Sequence, residues 1–192
     1  MKGFFLTAAM LFSISSLFGQ GGSWNLDKSH SSISFTVAHM IVSEVTGRFG
    51  DFNATVTSSK DDFSDASVDV SIKANSIITD NTNRDNDLKS DNFFGAEQFP
   101  EIRFKSDSFE KVDGNKYKIV GDLTLRDVTK KVTFDAEYRG SVKTQRGTII
   151  AWKASTAINR FDYGLKWNRM IETGGLVVGE TVAINIVLEL RK

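Results

Sequence analysis

The chain has no cysteine, one proline and two histidines among its 192 residues. Without cysteine there can be no disulfide, no thiolate metal site, no thiol nucleophile and no acylated lipoprotein cysteine, so stability must come from the packed core. Two histidines nine residues apart, His30 and His39, lack a third ligand at a recognisable spacing, and neither HxH nor HExxH occurs. They read as hydrogen-bonded histidines near a strand end, and no metal or cofactor is expected. Lys and Arg together number 24, as do Asp and Glu. With no basic block in that balance, nucleic acid is excluded as a partner. GxGxxG, GxxxxGK[ST] and GxSxG are all missing, which removes dinucleotide, P-loop and nucleophile-elbow chemistry. The sequence pair His30-Ser31 does not replace the last of these, because neighbours on a strand point to opposite faces. No catalytic residue is therefore assigned.

Long hydrophobic runs are also missing, except at the start. Met1 to Gln20 carries one charge, Lys2, followed by a mostly apolar run from Phe4 to Phe12 and then by Ser13, Ser15 and Ser16. This reads as a secretory signal, too short and too soon interrupted for the roughly 20 apolar residues of a membrane span. Cleavage is expected after Gly19, leaving residues 20–192 as a single domain in the periplasm or secreted, with net charge −1 once Lys2 is gone.

What remains is period-two alternation, the mark of strands with one buried face. Ile33, Phe35 and Val37 form one run; Phe52, Ala54 and Val56 a second; Val68, Val70 and Ile72 a third. A short strand at Ile102 and Phe104 follows, then Tyr117 to Leu125 with a bend or bulge expected at Gly121, and Val132 to Tyr138. Ile150 to Ile158 and Val182 to Leu190 complete about eight strands, joined by turns such as Asp113-Gly114-Asn115. The expected fold is all-β, an antiparallel barrel of about eight strands. Asp61, Asp62 and Asp65 read as a solvated turn, and Arg126, Lys130 and Lys131 as a small basic cluster at a strand end.

One segment, Asn75 to Pro100, breaks the alternation. Ser76, Thr79 and Asp80 offer helix caps, Asp91-Asn92 offers another, and Phe93, Phe94 and Phe99 follow. One or two short helices across the barrel, with these aromatics as plug or lid, are expected. Eight strands enclose either a filled interior or one elongated ligand. Small residues on the apolar parity (Ala54, Gly121, Ala136, Ala154, Thr156) favour the open cavity, although ordinary core packing produces the same alternation.

The same stretches carry a family resemblance. Trp24 to Ser31 before Ile33-Ser34-Phe35, His39 with Val45 to Phe52, Leu88 to Phe94 with Phe99 to Phe104, Gly121 to Lys130, and Asn159 to Gly164 resemble, in order, the motifs of the YceI-like family. The resemblance implies a lipocalin-like barrel that binds polyisoprenoids, or in some members fatty-acid derivatives, in the periplasm. The implied ligand is a long-chain isoprenoid, isoprenoid quinone or fatty-acyl lipid. For its tail the expected residues are Phe35, Val37, Val70, Ile72, Leu88, Phe93, Phe94, Phe104, Leu123, Trp152, Phe161 and Trp167; for its head, Asn81, Asp87, Arg126 and Arg160. Transient membrane contact and a homodimer are left open, and the alternatives are an enzyme acting on such a lipid through His30 or His39, or a filled-barrel, stress-related interaction protein without ligand. Asp87, Gly95 and Asp127 depart from the residues many relatives carry, and for a headgroup bound near Asp87 a different preferred chemistry is expected.

Overall fold

Alternation becomes sheet throughout. The structure, a computed structural model, describes residues 22–172 and 174–192; the proposed signal segment, 1–19, lies outside them. Eleven strands form one antiparallel sheet: β1 (Gly22–Leu26), β2 (Ser32–His39), β3 (Ser43–Phe49), β4 (Phe52–Ser58), β5 (Ser67–Lys73), β6 (Ile77–Ile78), β7 (Glu101–Asp113), β8 (Lys116–Leu125), β9 (Val128–Thr144), β10 (Gly147–Asn159) and β11 (Val178–Arg191).

Three pairs of these strands are single staves broken by a kink. The ladder Trp24↔Val56 in β1–β4 resumes as Phe35↔Gly47 in β2–β3, and Phe52↔Ile72 in β4–β5 resumes as Phe49↔Ile77 in β3–β6. Counted as staves, the sheet is a closed eight-stranded barrel, as the alternation predicts. Closure joins β11 to both halves of the first stave, at Leu26↔Leu190 and Phe35↔Ile184. A closed barrel leaves no long sheet edge to aggregate.

The bulge expected at Gly121 sits on the strand opposite. Ser106 pairs with Gly121 while Ser108 pairs with Val120, so the extra residue is in β7. Gly121 is needed there because a Cβ would lie 2.3 Å from the Lys105 carbonyl oxygen and 2.7 Å from the Phe104 ring. It therefore makes room for a neighbouring ring and adds nothing to the cavity.

The first kink is polar. Asp27 caps the 3-10 turn Lys28–His30, accepting from Ser29 N (3.0 Å) and Ser29 Oγ (2.6 Å), and lies 3.0 Å from His30 Nδ1. The Ser29 and His30 hydrogen bonds hold the Asp27 carboxyl below its ordinary range, and Asp27 in turn raises His30 above its own. A raised histidine stabilises the fold below about pH 6.5 and stops doing so as pH rises through its folded value; a depressed aspartate stabilises above about pH 4 and stops as pH falls through its folded value. The stability difference between wild type and His30→Gln, read from urea unfolding, is thus expected between about pH 4 and 6.5 and to fade in alkali. A difference independent of pH would contradict this.

One end of the barrel is plugged. Trp152 sits among Tyr117, Tyr138, Phe63 and Phe109, with ring centroids 4.9 to 5.3 Å away, and Trp24 packs on Phe63 at 5.9 Å. Phe63 comes from the loop read above as a solvated turn. That loop is in fact organised: Asp65 accepts from Ser58 Oγ (2.6 Å) and from Ser59 N (3.1 Å), and Tyr117 Oη donates to the Asp62 carbonyl (2.9 Å).

Candidate functional site

The other end stays open, and the segment that breaks the alternation crosses it. It contains one α-helix, α1 (Thr82–Lys89), capped by Asn81, whose side chain accepts from Arg84 N at 3.0 Å. Asp91-Asn92 does not start a second helix; residues 91–98 form turns, tied by Phe94 N to Leu88 O (2.9 Å) and Ala96 N to Lys89 O (2.8 Å). Leu88 is the only apolar residue of α1, so hydrogen bonds hold the helix more than packing does. Asp85 accepts from Thr79 N (2.7 Å) and Oγ1 (2.6 Å), and Arg84 Nε donates to Thr79 Oγ1 (2.7 Å). These bonds depress the Asp85 carboxyl.

Beneath this lid is a cavity of about 170 Å³, far more than the space one water needs. The interior is therefore not the filled core that alternation alone allows. Among the lining residues only Ser34, Arg160 and the indole N–H of Trp152 carry polar groups, and Ser34 Oγ donates to the Asn185 carbonyl (3.3 Å). The indole N–H is buried and has no hydrogen-bond partner among the described residues.

Ten of the expected tail residues line the cavity: Phe35, Val37, Val70, Ile72, Leu88, Phe93, Phe94, Phe104, Leu123 and Trp152. Phe93 packs on Trp167 (5.5 Å) and Phe94 on Phe49 (5.9 Å), closing the roof. Of the small residues, Ala136 and Ala154 face each other across β9–β10 and do leave room. The sequence reading omitted the opposite wall, Val182, Ile184 and Ile186 of β11, although those residues share its parity. A groove of about 360 Å³ leads inward between β2, α1 and the loop that carries Trp167, Val177 and Val178, bordered also by His39, Asn83, Arg84 and Asp87.

Several expected residues lie elsewhere. Phe161 does not line the cavity; its ring lies under the Arg160 guanidinium at 4.3 Å. Phe99 is likewise outside, stacked beneath Arg126 at 5.2 Å. Arg126 is not at a headgroup position: from a hairpin with φ of 49° and 57° at Arg126 and Asp127, it donates to the carbonyls of Asp91 and Phe93 and pins the lid. Asn81 is an exposed helix cap.

Arg160 lies at the cavity wall, 3% exposed, yet its donors are already engaged. It bonds the carbonyls of Gly179 (2.8 Å), Leu165 (2.6 Å), Trp167 (2.9 Å) and Val178 (3.0 Å), and burial pushes its pKa down. This guanidinium holds the segment 165–179 to the barrel. Arg160→Met should leave those carbonyls unpaired and lower stability by about 3 kcal/mol or more in chemical unfolding. Arg160→Lys should recover little, because one ammonium cannot span four acceptors in a fork. Near-wild-type stability in both variants would show the bonds to be dispensable. Of the four expected head residues, only Asp87 borders the mouth; there it accepts from Asn92 Nδ2 at 2.9 Å.

His30 does not form a hydrolytic relay. Ser29 Oγ (3.1 Å) and Asp27 Oδ2 (3.0 Å) approach the same nitrogen of His30, whereas a Ser-His-Asp relay needs one partner on each side of the ring. Asp27, His30 and Glu189 converge, but Arg191 already pairs with both carboxylates. None of the three lines the cavity.

A sequence profile of the YceI-like domain matches residues 24–190. A UPF0312 protein of Staphylococcus aureus is 38% identical over 161 residues, covering 83% of this chain and 91% of the relative. The crystal structure of the Campylobacter jejuni YCEI protein is 32% identical with TM-score 0.70, covering 87% of this chain and 96% of the other. Two further structures share the fold alone: BcnA of Burkholderia cenocepacia (20% identity, TM-score 0.76, covering 86% and 99%) and a polyisoprenoid binding domain from Saccharophagus degradans (16%, 0.62, covering 88% and 97%). Because that profile spans nearly the whole described chain, the protein belongs to the YceI-like domain family.

Proposed function

We propose that the protein binds and carries a long amphiphilic lipid, a polyisoprenoid, isoprenoid quinone or fatty-acyl derivative, outside the cytoplasm. The observation that carries this reading is the continuous apolar cavity, closed by aromatics at one end and opening at the other onto a groove bordered by His39, Asn83, Arg84 and Asp87. The tail lies along β2, β5, β7, β8, β10 and β11, and the head meets His39, Asn83, Arg84 and Asp87. The likeness in fold to a polyisoprenoid binding domain supports the ligand class, and the Met1–Gln20 segment supports export. The protein acts as a carrier and no bond of the lipid is broken, in keeping with a cavity lined by hydrocarbon.

Each methylene moved from water into such a cavity gains about 0.8 kcal/mol, or roughly fourfold in affinity. Fluorescent fatty-acyl probes of increasing length should therefore bind with Kd falling about fourfold per methylene until the cavity is full, and then level off. A Kd that does not change with chain length would exclude burial of the tail.

A further inference from the structure

The mouth is rimmed by side chains that a water-soluble surface would not be expected to place there. The turn between β2 and β3 carries Met40, Ile41 and Val42 in sequence, with Ile41 67% and Val42 88% exposed, and Met170 beside the mouth is 62% exposed. These residues belong to one surface: Met40 N donates to the Val177 carbonyl (2.9 Å), and the Ile41 Cδ1 lies so close over Gly175 that a Cβ there would sit 2.6 Å from it. Val177 N bonds the Arg169 carbonyl (2.9 Å), and Met170 bridges to Leu176, so the second loop folds back toward the first. The turn holds Met40 and Ile41 at φ of 51° and 70°. That conformation is unusual for any side chain and most of all for a β-branched one. Glycine or asparagine would suit the turn better, so local folding does not account for the apolar residues at its tip.

We infer that these two turns are a membrane-docking tip, which seats the open end of the barrel on a phospholipid bilayer so that the lipid passes between bilayer and cavity without crossing water. The inference rests on the carrier reading for its purpose, though not for its test. Charge is compatible with a bilayer: Lys166 and Arg169 flank the apolar residues, and neither pairs with a carboxylate among the described residues, while Glu44 follows the first turn in β3 and Glu172 lies within the second. Apolar side chains ringed by Lys, Arg and a Trp match the composition of a membrane interface, and Trp167 lies on the inner side of the same loop. A few side chains at a tip also fall well short of the roughly 800 Å² per partner that a specific protein interface buries. Val37 and Val178 connect this tip to the cavity, since both line the cavity and the groove.

The test is flotation of the ligand-free protein with vesicles of phosphatidylethanolamine and phosphatidylglycerol at 7:3, alongside uptake of a fatty-acyl probe delivered from ethanol. Wild type should float with the vesicles. The double variant Ile41→Asp with Val42→Asp should reduce the bound fraction at least tenfold, while Val142→Asp, a 63% exposed position on β9 away from both turns, should not. Probe uptake from ethanol should be equal in all three. Wild type that stays with the soluble fraction, or an equal loss in Val142→Asp, would overturn the docking tip. So would a wild-type dimer dissolved by the double variant, which would assign the tip to a second copy of the chain. Flotation without probe uptake would leave the tip standing and defeat the carrier reading; probe uptake without flotation would do the reverse.

Discussion

Ala154→Trp should abolish lipid binding without unfolding the protein. Ala154 and Ala136 face each other across β9–β10 and both line the cavity, so an indole at position 154 enters empty space that the tail would otherwise fill. Displacing the equivalent of four methylenes removes about 3 kcal/mol of burial, which is more than a hundredfold in Kd. Filling a dry cavity adds contacts, so the unfolding midpoint should hold or rise. Ala157→Trp, on the exposed parity of the same strand, is the control and should bind normally. Undiminished binding by Ala154→Trp would place the tail elsewhere.

Trp152→Ala should be among the most destabilising single changes in the barrel. Four aromatic rings lie within 5.3 Å of this 7% exposed side chain, and truncation leaves them facing a void at the plugged end. Large-to-small core changes of this kind cost about 3–5 kcal/mol, which chemical unfolding resolves readily. Trp152→Phe should cost much less, because it retains a ring and removes the unpartnered buried N–H, itself a penalty of about 1–3 kcal/mol in the native state. Equal losses in the two variants would mean that the N–H finds a partner in solution.

Much of this architecture was legible in the sequence because a barrel stave obeys a single rule, alternation, which survives kinks. β1 and β2 differ by a capped turn, yet Trp24, Ile33 and Phe35 all remain buried. Tail residues on regular strands, such as Val70, Phe104 and Leu123, could be placed for the same reason. Alternation is silent on whether the inside is filled, because Ala154, which leaves room, and Gly121, which admits the Phe104 ring, look alike as small residues.

Head residues were less legible because a charged side chain at a loop has several uses. Arg160 and Arg126 each point at backbone carbonyls contributed by segments 5 to 35 residues away in sequence, and no local pattern signals that. Arg84 and His39 border the mouth through the path of α1 and the β2–β3 turn, and neither carries a motif. Phe63 was missed as a plug because it stands alone among aspartates and serine, where a short window reads only the polar neighbours.

The carrier account turns on whether the cavity holds lipid. Native mass spectrometry of the purified protein, followed by mass spectrometry of its organic extract, tests this directly. The account predicts a one-to-one complex whose extract yields an isoprenoid or fatty-acyl species, with Ala154→Trp running at the bare polypeptide mass. Wild type at the bare mass that also takes up no polyprenyl or fatty-acyl probe would contradict it.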